Sequence, residues 1–192
     1  MTIGDKHGEV KILAVVGMSG SGKSVVVEHM TSKGCPKVYF GGMVLDELER
    51  RGLERNAENE RFVREDVRKR FGKDWVVKQV ITATKKLIEA GQRRIVLDGV
   101  YSYTEYKILK EEFKGDITFL AVVLPKKLRY KRVGERLERP FNGQEIRERD
   151  EAEIMNLEKG GPIAAADYYV MNDGSVEELC AGVDEVLDEI RW

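Results

Sequence analysis

The residues Gly17-Met18-Ser19-Gly20-Ser21-Gly22-Lys23-Ser24 fill every fixed position of the pattern G-x-x-x-x-G-K-[ST]. Each residue type answers a need of polyphosphate binding. Gly17, Gly20 and Gly22 let the backbone turn tightly, so that successive N–H groups point inward at one anion. Met18, Ser19 and Ser21 complete that ring of main-chain donors. Lys23 brings a full positive charge to the β- and γ-phosphates, and the Ser24 hydroxyl is a donor for Mg²⁺. The flanks agree with this reading. Ile12 to Val16 is a short apolar run suited to a buried parallel strand. Val25 to Met30 can begin a helix whose N-terminus adds partial positive charge at the phosphates.

Three further groups have types and spacings that suit phosphate chemistry. Asp98 closes the apolar run Arg94-Ile95-Val96-Leu97. A carboxylate at a strand end beside a phosphate loop can hold Mg²⁺ through water or accept a proton from a hydroxyl. The competing role is a turn or helix-capping Asp. Arg129, Arg132, Arg136 and Arg139 recur at helical spacing and so share one face. An arm bearing them can stabilise charge on a γ-phosphate and exclude water, with Arg147 and Arg149 on the returning helix contributing. The competing role is a solvated helix balanced by Glu135 and Glu138. The turn Asn172-Asp173-Gly174-Ser175 follows the last apolar run and can face a nucleotide base; Ser175 also reads as a plain helix cap.

The elements that must position these groups alternate between strand and helix. Strands are expected at Ile12 to Val16, Lys37 to Phe40, Arg94 to Asp98, Ile117 to Leu124 and Asp167 to Asn172. Gly41-Gly42 reads as a break. Residues 43 to 71 are helical, with an interruption near Gly52 and a restart near Asn56; Arg64 and Arg68 share a face there. Asp74 starts a helix ended by Gly91, another runs from Tyr103 to Phe113, and residues 126 to 139 form the basic helix ended by Pro140. A charged helix runs from Gln144 to about Lys159, broken by Gly160-Gly161-Pro162. Ser175 and Glu178 fit a capping box for a final helix that buries Val176, Leu179, Cys180, Val183, Val186, Leu187 and Ile190 on one face. This alternation predicts an α/β fold with a parallel sheet and ligands at the carboxyl ends of its strands.

Composition narrows the function class. The chain has 192 residues, 42% of them hydrophobic and 35% charged, and a net charge of −1. That length suits one domain with a sizeable core, and we place no internal boundary. The charge balance gives no general attraction to nucleic acid or anionic membranes, and the basic helix lacks interleaved aromatics. Cys35 and Cys180 are far apart in sequence and read as free thiols of a reducing compartment. No run approaches a membrane span, and the polar first residues do not resemble a signal peptide, so a cytoplasmic protein is expected.

Taken together, these residues resemble the small P-loop kinases of nucleotides. More narrowly, the chain is similar to the archaeal adenylate-kinase-related proteins that also resemble dephospho-CoA kinases. The likeness rests on Gly17 to Ser24, Gly41-Gly42 and its helix, Arg64 and Arg68, Asp98-Gly99, Arg147-Glu148-Arg149-Asp150, Ala166-Asp167-Tyr168, and Asn172 to Ser175. The resemblance implies a P-loop NTPase fold: a five-stranded parallel sheet flanked by helices, with acceptor-side helices at about 43–72 and a helical lid at about 126–159. It implies ATP and Mg²⁺ as cofactors, with Ser24 and Asp98 toward the metal. Lys23, Asp98, Arg132 and Arg136 become the catalytic candidates, Arg132 and Asn172 join the loop in binding nucleotide, and Arg64 and Arg68 are acceptor contacts.

Two acceptor positions depart from that pattern. Nucleoside monophosphate kinases carry an acid and an Arg after the second strand, where this chain has Gly41-Gly42-Met43-Val44-Leu45. They carry Arg after the Asp-Gly of the third strand, where this chain has Val100-Tyr101-Ser102. Dephospho-CoA kinases place a carboxylate at the end of the second strand, and Gly42 removes it. The expected function is an ATP-dependent small-molecule phosphotransferase with a nucleotide or dephospho-CoA-like acceptor. The alternative is a non-kinase P-loop ATPase or nucleotide-dependent switch.

Overall fold

The structure, a computed structural model, describes residues 9–135 and 141–192. Five parallel strands form one sheet in the order β2-β3-β1-β4-β5. They are β1 (Lys11–Val16), β2 (Lys37–Tyr39), β3 (Arg94–Asp98), β4 (Ile117–Val123) and β5 (Tyr168–Met171). Each strand is followed by helix, as parallel pairing requires. The helices are α1 (Lys23–Ser32), α2 (Phe40–Arg50), α3 (Ala57–Phe71), α4 (Trp75–Glu89), α5 (Tyr103–Glu112), α6 (Lys126–Gly134), α7 (Gly143–Met155), α8 (Gly160–Ala164) and α9 (Val176–Glu189).

The strand period of two sorts the core into two layers. On β1, Ile12, Ala14 and Val16 face a cluster built with α2, α3, α4 and α5. Leu13 and Val15 face the opposite cluster, built with α1 and α9. Both faces are covered, which is why these strands read as continuous apolar runs. Among the described residues, no helix is long and apolar enough to cross a membrane.

Register brings the strand ends level. Asp98 on β3 pairs with Val15 on β1 and with Tyr39 on β2. Val123 pairs with Met171 at the end of β4 and β5. Local signals place several helix starts. Ser175 and Glu178 form the expected capping box of α9. Two more, Ser102 with Glu105 and Asn142 with Glu145, start α5 and α7. Gly91 follows α4 at φ 92°, the left-handed position that a helix end favours.

Three boundaries differ from the sequence expectation. Phe40 begins α2 rather than ending β2, and Gly41-Gly42 lies inside the first turn of that helix. The Tyr39 ring folds over this turn: a Cβ on Gly41 would stand 2.4 Å from the ring's Cζ. Glycine therefore permits a close approach there instead of a break. At the other boundary, α7 ends at Met155, and Glu158 takes a left-handed backbone at φ 58°. Gly160-Gly161-Pro162, expected as a break, forms the short α8. Asp74 is the residue before α4, but its side chain makes no capping bond; it pairs with Lys78 at 2.6 Å instead.

The close packing of α8 on α5 yields a stability test. A Cβ on Gly161 would stand 2.6 Å from Tyr103 Cβ, whereas one on Gly160 meets nothing within 4 Å. Because Tyr103 Cβ is fixed by the α5 backbone, Gly161→Ala should cost about 1–3 kcal/mol. Gly160→Ala should be neutral or stabilising by up to ~1 kcal/mol. Urea denaturation of both variants checks this; equal midpoints would contradict the packing described.

Candidate active site

The loop between β1 and α1 is shaped by backbone angles that glycine supplies. Gly17, Gly20 and Gly22 sit at φ 150°, 85° and 102°. A Cβ on Gly22 would stand 2.1 Å from Asn172 Nδ2, and one on Gly17 would stand 2.7 Å from the Val122 carbonyl oxygen. Asn172 Nδ2 donates to the Ser21 carbonyl at 2.8 Å, and the Asn172 amide donates to the Val123 carbonyl at 2.8 Å. The loop is thus tied to the ends of both β4 and β5. Because α1 opens at Lys23, its N-terminus, with the partial positive charge of a helix start, lies at the end of the loop.

Lys23 lies back across the loop and donates to the Gly17 and Met18 carbonyls at 2.9 and 3.1 Å. Burial pushes its ammonium down to about 8; Lys159 and Arg149 push the same way, while Glu153 and Asp98 oppose them. Asp98 stands beside it at the end of β3. Burial raises the Asp98 carboxyl above the usual range, against the pull of Lys23 and Lys37. The strand-end carboxylate and the phosphate-loop Lys are thus near enough for their charges to act on each other.

Helices α6 and α7 close over the loop. Arg129 is buried, and its guanidinium donates to the Ser19 carbonyl at 3.0 Å and to Asp150 at 2.7 Å, with a second bond to the other Asp150 oxygen. The Tyr130 hydroxyl donates to Asp150 at 3.0 Å. Arg129 is therefore a clamp between lid and loop, not an exposed member of an arginine row. Arg132 reaches the turn after β5, donating to Asn172 Oδ1 at 2.9 Å and to the carbonyl oxygens of Asn172 and Gly174 at 2.6 and 2.8 Å. It is thus brought together with Asn172, as the sequence suggests. Arg136 and Arg139 lie outside the described residues. From α7, Arg149 Nε donates to the Ser19 hydroxyl at 2.9 Å.

Beside the loop lies a second compartment, a cavity of about 440 Å³. Arg64 and Arg68 line it, together with Tyr39, Tyr101, Glu105 and Lys159. The Nε of Arg68 is buried and has no hydrogen-bond partner among the described residues. Glu105 accepts from the Tyr101 and Ser102 amides at 2.8 and 3.0 Å. Burial still raises its carboxyl above the usual range, against those bonds and the charge of Arg68. Burial likewise pushes the Tyr101 hydroxyl up, so it stays a neutral donor. Glu153 and Arg149 form the wall shared with the phosphate loop.

Sequence reasoning overlooked Glu105, Glu153 and Lys159. Glu105 had a local signal, since Ser102-x-x-Glu105 is a capping box. Glu153 and Lys159 are six residues apart across the end of α7, a spacing with no helical period to expose it.

No family model matches the chain. A protein from Thermococcus kodakarensis described as UPF0200 is 36% identical over 182 residues, covering 93% of this chain and 97% of its own length. The chain belongs to the UPF0200 family. A second such protein, from Thermococcus gammatolerans, is 35% identical over the same length. Among solved structures, shikimate kinase from Aquifex aeolicus matches with a TM-score of 0.55 at 19% identity, covering 92% of this chain and 96% of that one. A sugar kinase from Janibacter matches with a TM-score of 0.59 at 16% identity, covering 93% and 95%. The fold is that of the P-loop kinases. The narrower likeness to adenylate or dephospho-CoA kinases is not reached by these matches.

The Arg129–Asp150 clamp can be broken from one side. Arg129→Met leaves the Asp150 carboxylate buried without its cation, and should lower unfolding free energy by about 3–5 kcal/mol. Arg129→Met with Asp150→Leu should recover most of that loss. Guanidinium denaturation measures both, and a single variant as stable as wild type would show the clamp to be dispensable.

Proposed function

We propose that the protein is an ATP-dependent, Mg²⁺-assisted phosphotransferase acting on an anionic, nucleotide-like small molecule in the cytoplasm. The observation that carries this reading is the second compartment: a cavity with Arg64 and the unpartnered Arg68 Nε, sharing a wall with the phosphate loop. A protein that only hydrolyses ATP has no use for an arginine-lined acceptor chamber. The nucleotide-kinase and dephospho-CoA-kinase readings both fit within this class. No nucleic-acid or membrane partner is part of it.

The roles follow from position. Main-chain amides of Gly17 to Ser24 hold the β- and γ-phosphates, and Lys23 shares their charge. Arg132 and Asn172 hold the base side. Arg64 and Arg68 hold the anionic end of the acceptor, each such charge-assisted contact being worth ~1.5–3 kcal/mol when desolvated. An acceptor oxygen forms its bond to the γ-phosphorus as the bond from that phosphorus to the β–γ bridging oxygen breaks. The electron pair leaves on ADP, and the acceptor proton passes to Asp98, whose raised pKa suits it to receive one.

Among the described residues, no three His, Cys, Asp or Glu side chains gather to hold a metal. Ser24 supplies a hard oxygen donor and Asp98 would reach the ion through a water, which fits Mg²⁺, an ion that keeps several waters and takes other ligands from phosphate oxygens. When bound, it would neutralise charge on the β- and γ-phosphates.

The chief rival is a P-loop ATPase or switch. It is favoured by Gly42 and Tyr101 at positions where related kinases carry charged acceptor contacts. Labelled ATP with a panel of nucleoside monophosphates, dephospho-CoA and hydroxy acids separates the two. Label appearing on one acceptor supports the kinase, whereas release to water at a constant rate supports the rival.

Two outcomes test the donor site. Lys23→Ala should reduce turnover at least ~10²-fold while leaving the melting temperature within a few degrees. The second is a pH dependence. Phosphate favours the Lys23 ammonium, so its pKa rises on binding from about 8. Affinity for MgADP should therefore be full below pH 8 and fall as pH rises toward 10, by up to ~10-fold per unit. Calorimetry across that range checks the sign; affinity that rises with pH would refute the assignment of Lys23.

A further inference from the structure

Where the phosphate loop meets the acceptor cavity, one carboxylate is ringed by donors. Glu153 and Lys159 are only 3% and 5% exposed, and they pair at 2.8 Å. Glu153 also accepts from the Ser19 amide at 2.9 Å and from the Ser19 hydroxyl, and it stands 3.5 Å from Arg149. Its charge reaches Lys23 as well. A loop amide, a hydroxyl and two cations around two oxygens, with a third cation within reach of their charge, are the surroundings a bound phosphate would have. Burial works against the Glu153 charge, but Lys159 and Ser19 outweigh it and hold the carboxyl at about 2. It is ionised at any neutral pH.

Such a carboxylate competes with a terminal phosphate for the same donors. Two like charges held this close repel each other. Lys159 has a second surface to turn to, since its ammonium already lies 4.9 Å from the Tyr101 ring centroid and lines the cavity.

We propose that Glu153 is an internal stand-in for the terminal phosphate of the donor, and that a nucleoside triphosphate displaces it and frees Lys159 to bind the phosphoryl group at the mouth of the acceptor cavity. This rests on the phosphotransferase reading. A diphosphate, lacking the third phosphate, leaves the Glu153–Lys159 pair in place. Glu153 therefore sets how strongly the site prefers triphosphate over diphosphate, and Lys159 is a catalytic residue that contacts the group in transit between ADP and acceptor.

The test is calorimetry of the full chain with MgADP and with a non-hydrolysable MgATP analogue. Glu153→Gln removes the competing charge, and Glu153→Asp keeps a charge beside Lys159 while withdrawing it from Ser19. The preference for the triphosphate should rise about tenfold in the first and severalfold in the second, with MgADP affinity changing less than twofold. In wild type, amide exchange over residues 151–159 should be faster with the triphosphate analogue than with MgADP, a readout that needs no variant. An unchanged preference in a folded variant, or equal exchange with the two nucleotides, would overturn the stand-in while leaving the phosphotransferase intact. Wild type binding neither nucleotide would overturn both. Lys159→Met should lower kcat about 100-fold with MgADP affinity retained, and Lys159→Arg should restore part of it; a Lys159→Met enzyme with wild-type kcat removes Lys159 from the reaction.

Discussion

Positive charge gathered where water is scarce is the constraint on which the rest of this structure depends. A polyphosphate site needs several cations within reach of one another, and in an empty site those cations repel. The chain answers by giving each a different neutralising partner. Arg129 is fixed by Asp150, Lys159 by Glu153, and Arg132 by carbonyl and amide oxygens of the Asn172 turn. Lys23 donates to neutral carbonyls of its own loop, and burial lowers its ammonium to about 8. The loop, α6, α7 and the turn after β5 are thereby bound into one electrostatic unit, in which Ser19 is touched from three directions by Arg129, Arg149 and Glu153.

That unit can form because parallel register delivers its parts to one edge. β1 lies between β3 and β4, so the loop after β1 has the end of β3 on one side and the end of β4 on the other. Asp98 and Tyr39 arrive level with Val15, two residues before the loop. Asn172 arrives just past Val123 through a backbone bond of 2.8 Å. A one-residue slip in β3 would send Asp98 to the opposite face of the sheet. The buried alternation of Ile12, Leu13, Ala14, Val15 and Val16 between two cores is what forbids such slips.

The same physics explains what was readable beforehand. Gly17 to Ser24 was legible because its residue types are demanded by local backbone angles and by a ligand's charge, and both are written in consecutive positions. Asp98 was legible because a carboxylate closing an apolar run is out of place unless the strand ends there. The capping box of α9 was legible for the same local reason. Arg129 was misplaced because its partner, Asp150, comes from a separate helix, and helical spacing alone cannot tell a solvated row from a buried pair. Gly41-Gly42 was misplaced because a pair of glycines has two uses, to break a helix or to let a ring close on one. Which holds depends on the Tyr39 side chain. Glu153 and Lys159 were invisible because a left-handed residue, Glu158, turns the chain between them.

The acceptor side follows a different logic from the donor side. On the donor side, charge comes from the loop and lid. At the ends of β2 and β3, this chain places Tyr39, Gly41 and Tyr101, and the two tyrosines interact through their hydroxyls. Charge has moved instead to α3, where Arg64 and Arg68 project toward the cavity from one helix face. Among the described residues the buried Nε of Arg68 has no partner, a costly arrangement in a core that an anion in the cavity would relieve. On the phosphotransferase reading, the anion of the acceptor is then held from the helical wall and its body rests on aromatic rings. On that reading, acceptor choice is set from the helical wall, by cavity-lining residues of α2 and α3 such as Val44, Arg64 and Arg68.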